Sequence, residues 1–254
     1  VGSEMCIRDS IMGKDADGNV SKLSKRHGAT GFYDLIDEGY LPEAIINYIA
    51  LLGWCPKDNQ EIFTLKELEK AFDISGISKS PAVFDYDKLS WFNGEYIKAM
   101  TPEKFTEVAM PYYKKVFGDK QMPYEKFAAI LQKRTTQLTQ IPEMLDFFAE
   151  LPSYTKELFV NKKSKTNLEN SPVVLKEAYD RLKAMPEWNE TSIHDCLINM
   201  AVEKELKNGT VMWPVRIAAA GKTVTPGGAV EILDILGRDE SLARLEKGMA
   251  ILAE

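Results

Sequence analysis

The residues best suited to chemistry lie near the front, in IMGKDADGNVSKLSKRHGATGF. Lys22-Leu23-Ser24-Lys25-Arg26 sets three cations and a hydroxyl on a short loop, after the turn formers Asp17, Gly18 and Asn19 and before a helix that Thr30 can cap. Fixed cations on such a loop suit a triphosphate, where negative charge moves onto the departing phosphates as the reaction proceeds. Alone, KLSKR is a weak signal, because short basic runs are most often solvated loops. His27 could touch phosphate or adenine, but a lone histidine beside a turn more often makes local hydrogen bonds. Two histidines and three cysteines, far apart and in no CxxC or HxxxH spacing, encode no zinc site, so the expected metal set is none. The sparse, odd cysteine count fits a reducing compartment, and Cys55 and Cys196 read as structural because neither has a nearby histidine to act as a base.

The elements that must position this loop are helical. GFYDLIDE, residues 31–38, reads as a helix closed by Gly39, and Pro42 stands where a first helical residue tolerates proline, opening EAIINYIALL up to Gly53. Thr64 and Glu67 form an S/T-x-x-E capping box ahead of LKELEKAF. Thr101-Pro102-Glu103 repeats the start signal before KFTEVAMPYYKKVF. Further helices are expected over 123–139, 142–150, 172–184, 191–207, 214–220, 226–236 and 239–253. In SKSPAVFDYDKLSWFNGEYI, the residues Phe84, Leu89, Trp91, Phe92, Tyr96 and Ile97 are spaced to fill a helix-facing core, while Asn93 and Gly94 read as a turn or a close helix contact. The apolar run AIINYIALLGW holds Asn47 and stops well short of the about 18 residues that a membrane span needs.

Charge is uneven along the chain. The net charge is −6, but residues 34–73 carry nine acidic and three basic side chains, whereas 114–165 carry ten basic and six acidic. An acidic chain can therefore present one basic face, either as a plain solvated surface or as a surface for nucleic acid.

KLSKRHGAT, then GYLPEAIINYIALLGW, then SKSPAVFDYDKLSWFNGEYI, and finally WPVRIAAAGKTVTPGGAVEILDILGRDESLARL resemble, in order, the glutamyl-tRNA synthetases of bacterial and organellar type, which are class I aminoacyl-tRNA synthetases. The resemblance covers about 11–254. KLSKR is similar to the family's KMSKS signature, with Leu23 and Arg26 in place of Met and the final Ser. It implies that Lys25 contacts ATP and stabilises the phosphates as glutamyl-adenylate forms, with Lys22, Ser24 and Arg26 shaping the same loop. It implies that Lys79 and Ser80 touch the tRNA backbone from a helical stem-contact fold. It implies an all-helical anticodon-binding region in which Arg134, Lys162, Lys163, Lys165 and Arg216 are candidate tRNA contacts, although each arginine could equally pair with a carboxylate. Glutaminyl-tRNA synthetases share the signature loop but carry β-barrel anticodon domains, which the helix punctuation here argues against.

The expected fold is therefore mainly all-α. Residues 1–10 read as a non-native leader, 11–100 as the end of a catalytic domain with the KMSKS-type loop and stem-contact fold, and 101–254 as the helical anticodon-binding region, dividing near 190. The Rossmann-type catalytic half with its HIGH signature has no counterpart in this sequence, so the chain alone is expected to be inactive. The implied substrates are ATP with Mg²⁺, glutamate and tRNA(Glu), used by a monomer in the cytoplasm or an organellar matrix. Two other readings are a non-catalytic helical tRNA-binding module and a helical scaffold for protein partners; steep salt dependence of tRNA binding separates the first from the second.

Overall fold

The computed structural model describes residues 11–14, 17–24, 28, 31–78 and 82–254. Among them are twelve α-helices and three short strands, in two compact units. The first holds the chain to Ala109 together with Gln132–Ile141; the second holds Met110–Leu131 and Pro142–Glu254.

In the first unit, β1 (Met12–Lys14) pairs antiparallel with β2 (Val20–Lys22) and parallel with β3 (Val83–Phe84), in the order β2-β1-β3. This sheet is absent from the sequence expectation, because strands of two or three residues are too short to carry a period of two. Helices α1 (Phe32–Asp37), α2 (Pro42–Leu51), α3 (Leu65–Ala71) and α4 (Tyr86–Ala99) follow. Pro42 is indeed the first residue of α2, and the Thr64–Glu67 box closes in both directions, with Thr64 N–H donating to Glu67 Oε2 at 2.7 Å and Glu67 N–H to Thr64 Oγ1 at 3.3 Å. The core is formed by Leu35, Tyr40, Ile45, Tyr48, Phe84, Leu89 and Phe92. Trp91 departs from the expected core set: it is 41% exposed, with the Lys88 ammonium 4.5 Å from its ring.

Two buried amides organise this unit. Asn47 sits in the middle of the apolar run of α2, where it donates to Glu61 O at 2.9 Å and accepts from Phe63 N–H at 2.8 Å and the Tyr96 hydroxyl at 2.7 Å. Asn93, on α4 rather than in a turn, accepts from Leu41 N–H at 2.8 Å and donates to Thr136 O at 2.6 Å and Gly39 O at 3.3 Å. It thereby ties α4, the α1–α2 turn and the segment 132–141 together. Gly39 has φ +90°, and a Cβ there would lie 2.6 Å from Thr139 N, so neither the conformation nor the space admits a side chain.

Helix α5 (Pro102–Phe117) runs through the boundary at Ala109 and Met110, continuing across Pro111. The second unit contains α6 (Tyr124–Leu131), α7 (Ile141–Ala149, whose first residue belongs to the first unit), α8 (Asn170–Ala184), α9 (Glu190–Glu203), α10 (Asn208–Ala220), α11 (Ala229–Leu236) and α12 (Arg238–Ala253). The expected helix over 123–139 stops at Leu131; beyond it, Gln132 Nε2 donates to Ile97 O and Met100 O at 3.0 and 2.7 Å, capping the end of α4. Pro214 does not open a helix. It lies inside α10, which starts at Asn208, because the buried Val211, Val215, Ile217 and Ala218 outweigh the hydrogen bond that proline cannot donate. No helix of the described residues is long and apolar enough to cross a membrane.

Candidate functional site

Two groups of candidate residues are positioned by this fold, one in each unit. In the first, Lys22 is the last residue of β2, with its backbone paired in register with Met12, so the signature begins on a strand rather than wholly on a loop. Leu23 N–H donates to Ile11 O at 2.9 Å, and the Leu23 side chain packs on the core. The Lys22 side chain is exposed and Ser24 is half-buried. Lys25, Arg26 and His27 lie outside the described residues, as do Lys79 and Ser80. Past the signature, Gly28 has φ +115°, and a Cβ there would meet the Tyr86 hydroxyl at 2.9 Å. The start of the signature is held by the sheet. Acidic α1 follows: the Asp34 carboxylate accepts from Gly31 N–H at 3.1 Å, and burial, then the charge of Asp34, raise the Glu38 carboxyl above its ordinary range.

In the second unit the basic candidates converge on α10. The turn between Asn161 and Thr166 carries Lys162, Lys163 and Lys165, all exposed. It is shaped by Ser164 N–H donating to Asn161 Oδ1 at 3.0 Å and Asn170 Nδ2 donating to Lys165 O at 2.9 Å. The Thr210 hydroxyl donates to Ser164 O at 2.7 Å, which fastens this turn to the first part of α10. Six residues beyond Thr210, the Arg216 guanidinium lies 4.6 Å from the Trp213 ring centre and donates to Thr223 O at 2.9 Å and Thr225 Oγ1 at 3.4 Å. Trp213 is itself oriented by its Nε1–H, which donates to Leu158 O at 3.0 Å. Ser164, Trp213, Arg216, Gly228 and Glu231 line an open cleft of about 330 Å³. The lysine turn and Arg216 thus border one concavity that offers an aromatic ring, a stacked guanidinium and hydrogen-bonding groups. Such a combination can stack and read an unpaired nucleobase.

Arg134 stands apart from that group, exposed in the turn that follows α6 and belonging to the first unit. Trp213 and Thr225 are site residues that the sequence expectation missed. With Pro214 taken as a helix start, the three-residue spacing of Trp213 and Arg216 along one helix face could not be seen. Burial pushes the Cys196 thiol up, which disfavours the nucleophilic thiolate, and Cys55 is an exposed free thiol. Among the described residues no group of three or more His, Cys, Asp or Glu side chains converges to hold a metal ion.

A family model described as "tRNA synthetases class I (E and Q), catalytic domain" matches residues 12–91, and one described as "Anticodon binding domain" matches residues 104–249. The chain is 51% identical over 228 residues to a glutamate–tRNA ligase of Clostridium kluyveri and 49% identical over 229 residues to that of Clostridium tetani, in each case across 90% of this chain and 47% of the relative. The chain belongs to the family of this anticodon-binding domain, whose model spans more than half of it. Solved structures of glutamate–tRNA ligases agree. That from Elizabethkingia meningosepticum, in complex with its amino acid, superposes with a TM-score of 0.73 at 29% identity over 95% of this chain and 45% of its own. That from Elizabethkingia anophelis gives 0.71 at 27% identity over 94% and 45%. The chain spans about half the length of the glutamate–tRNA ligases it matches. The lysine turn, Trp213, Arg216 and Thr225 all fall within the stretch matched by the anticodon-binding model, and Lys22 and Ser24 within that matched by the catalytic model.

Proposed function

We propose that this chain serves ATP-dependent charging of tRNA(Glu) with glutamate, supplying the KMSKS-type loop and the surfaces that bind tRNA and its anticodon. In that reaction the glutamate carboxylate attacks the α-phosphorus of ATP, releasing pyrophosphate, and a hydroxyl of the terminal adenosine of tRNA then takes the glutamyl group, releasing AMP. Magnesium enters with ATP as part of the substrate. Lys25 is assigned to the phosphates, where a fixed ammonium opposes the charge that builds on the leaving pyrophosphate. Lys22 and Ser24 carry the strand and loop start that hold it there, and Arg26 adds charge at the same place. Lys79 and Ser80 are assigned to tRNA backbone contact, and Arg134 to a tRNA contact on the first unit.

The observation that carries the reading is the α10 cleft: Trp213, Arg216 and the turn of Lys162, Lys163 and Lys165 meet inside the region that resembles an anticodon-binding domain. There the lysines neutralise backbone phosphates, while the guanidinium stacked on the indole offers its outer plane and its donors to a splayed base. Fluorescence anisotropy of labelled tRNA(Glu) with the chain tests this. Arg216→Ala and Trp213→Ala should each weaken binding about tenfold, the worth of one stacked and hydrogen-bonded base. Replacing the three lysines together should flatten the dependence of log Kd on log salt. Unchanged affinity in all three variants refutes the reading. In a preparation active for glutamyl-tRNA formation, Lys25→Ala should slow adenylate formation more than it weakens tRNA binding; the reverse pattern removes Lys25 from the ATP role.

A further inference from the structure

Arg244 is buried to 4% exposure on α12, far in sequence from every candidate contact with substrate. A buried guanidinium persists only when its donors are matched, and here they are matched in an unusual way. Nε donates to Glu240 Oε1 at 2.6 Å, one turn back on the same helix. Nη1 donates to two backbone carbonyls from two other helices, Phe147 O at 2.7 Å and Ala219 O at 2.9 Å. Both carbonyls sit in the last turn of their helix, where they have no intrahelical partner and where the negative end of the helix dipole lies. One cation therefore caps α7 and α10 at once. Two features let it reach. Gly248 brings α12 so close that a Cβ would lie 2.6 Å from Ala218 Cβ, and the Tyr154 hydroxyl donates to Ala218 O at 3.4 Å beside it. Lys222, just past the end of α10, adds a second tie, to Asp146 on α7 at 2.6 Å.

Ala219 is three residues beyond Arg216, on the same helix. The opposite end of α10 is tied to the lysine turn through Thr210 and Ser164. The rotation and axial position of α10, and hence where the Trp213 and Arg216 planes stand relative to that turn, are therefore set from its two ends.

We infer that Arg244 is a positioning residue for nucleotide recognition: by capping α10 against α7, it fixes the geometry in which Trp213 and Arg216 discriminate among unpaired bases. This rests on the reading of the α10 cleft as an RNA site, and it adds a residue that touches no RNA.

The test measures anisotropy with transcripts of tRNA(Glu) and of single-base anticodon variants, using the 254-residue chain at a temperature where circular dichroism shows each variant folded. Arg244→Met should lower the preference for the cognate anticodon about tenfold, while the salt slope set by the lysines stays unchanged. Arg244→Lys, which keeps the charge but not the planar fork, should retain the fold and lose part of that preference. If Arg244→Met fails to fold, the lysine variant alone decides. Preserved discrimination in the folded variants, alongside its loss in Arg216→Ala, overturns the positioning role and leaves the cleft reading intact. Preserved discrimination in Arg216→Ala as well overturns both.

Discussion

Replacing Asn93 by Leu tests the arrangement of the first unit most directly. The two side chains share a branched outline, and leucine is the larger, so the change removes hydrogen bonds without opening a cavity. Asn93 satisfies Leu41 N–H at 2.8 Å, Thr136 O at 2.6 Å and Gly39 O at 3.3 Å. Gly39 O keeps a second donor, Leu138 N–H at 3.1 Å, so of the three backbone groups that lose Asn93 two are left unsatisfied. Each buried group left unsatisfied costs about 1–3 kcal/mol, giving a destabilisation of about 2–6 kcal/mol. At an m-value of about 2 kcal/mol/M in urea, a loss of about 4 kcal/mol moves the midpoint down by about 2 M. Trp54 and Trp91 report on this unit in fluorescence, and hydrogen exchange at Leu41 and Leu138 N–H reads the local effect. Both amides should exchange faster, since the α1–α2 turn and the segment 132–141 lose their common tie. A loss below about 1 kcal/mol, which is a midpoint shift under about 0.5 M, with both amides still protected, would show that the amide organises nothing and refute the reasoning.

Other outcomes follow from single contacts. The Tyr113 hydroxyl is buried without a hydrogen-bond partner, and burial pushes its pKa well up, so Tyr113→Phe should stabilise the protein by about 1–2 kcal/mol, seen as a rise in Tm. Thr64→Ala should cost about 1 kcal/mol in urea titration by removing the cap of α3. The Glu67 carboxyl is held below its ordinary value by the Thr64 backbone N–H and hydroxyl. Its contribution is therefore present above the unfolded pKa and is lost as pH falls through the folded one, so α3 should fray in acid, with NMR shifts of Glu67 following. Gly248→Ala forces α12 off Ala218 and should lower stability by about 1–3 kcal/mol, measured by thermal melting.

What could be read from sequence was local. Thr64 with Glu67, Pro42 and Gly39 each act within a turn of their own position, and the structure puts them where their chemistry says. What could not be read depends on residues distant in sequence. The sheet pairs Met12 with Val83, and no local period signals that contact. Gln132 leaves the helical pattern to cap α4, and Pro214 stays inside a helix because its neighbours are buried. At the site, the basic residues were visible as types, but the ring beneath Arg216 needed the true start of α10 to be known. Arg244 carries no sequence signal, since an arginine four residues after a glutamate on a helix reads as an ordinary surface pair.

The division of the chain also sets an order of events during synthesis. Asn93 leaves the ribosome 43 residues before Thr136, the carbonyl it must bond, and at about 5–20 residues per second that interval is about 2–9 s. Throughout it, the α1–α2 turn and α4 lack the strand of chain that closes their polar contacts, while the first helix of the other unit is already being made. The first unit thus waits for its last piece until after α6 has been translated, so a stalled ribosome between these points would hold an incomplete fold open to proteases and chaperones.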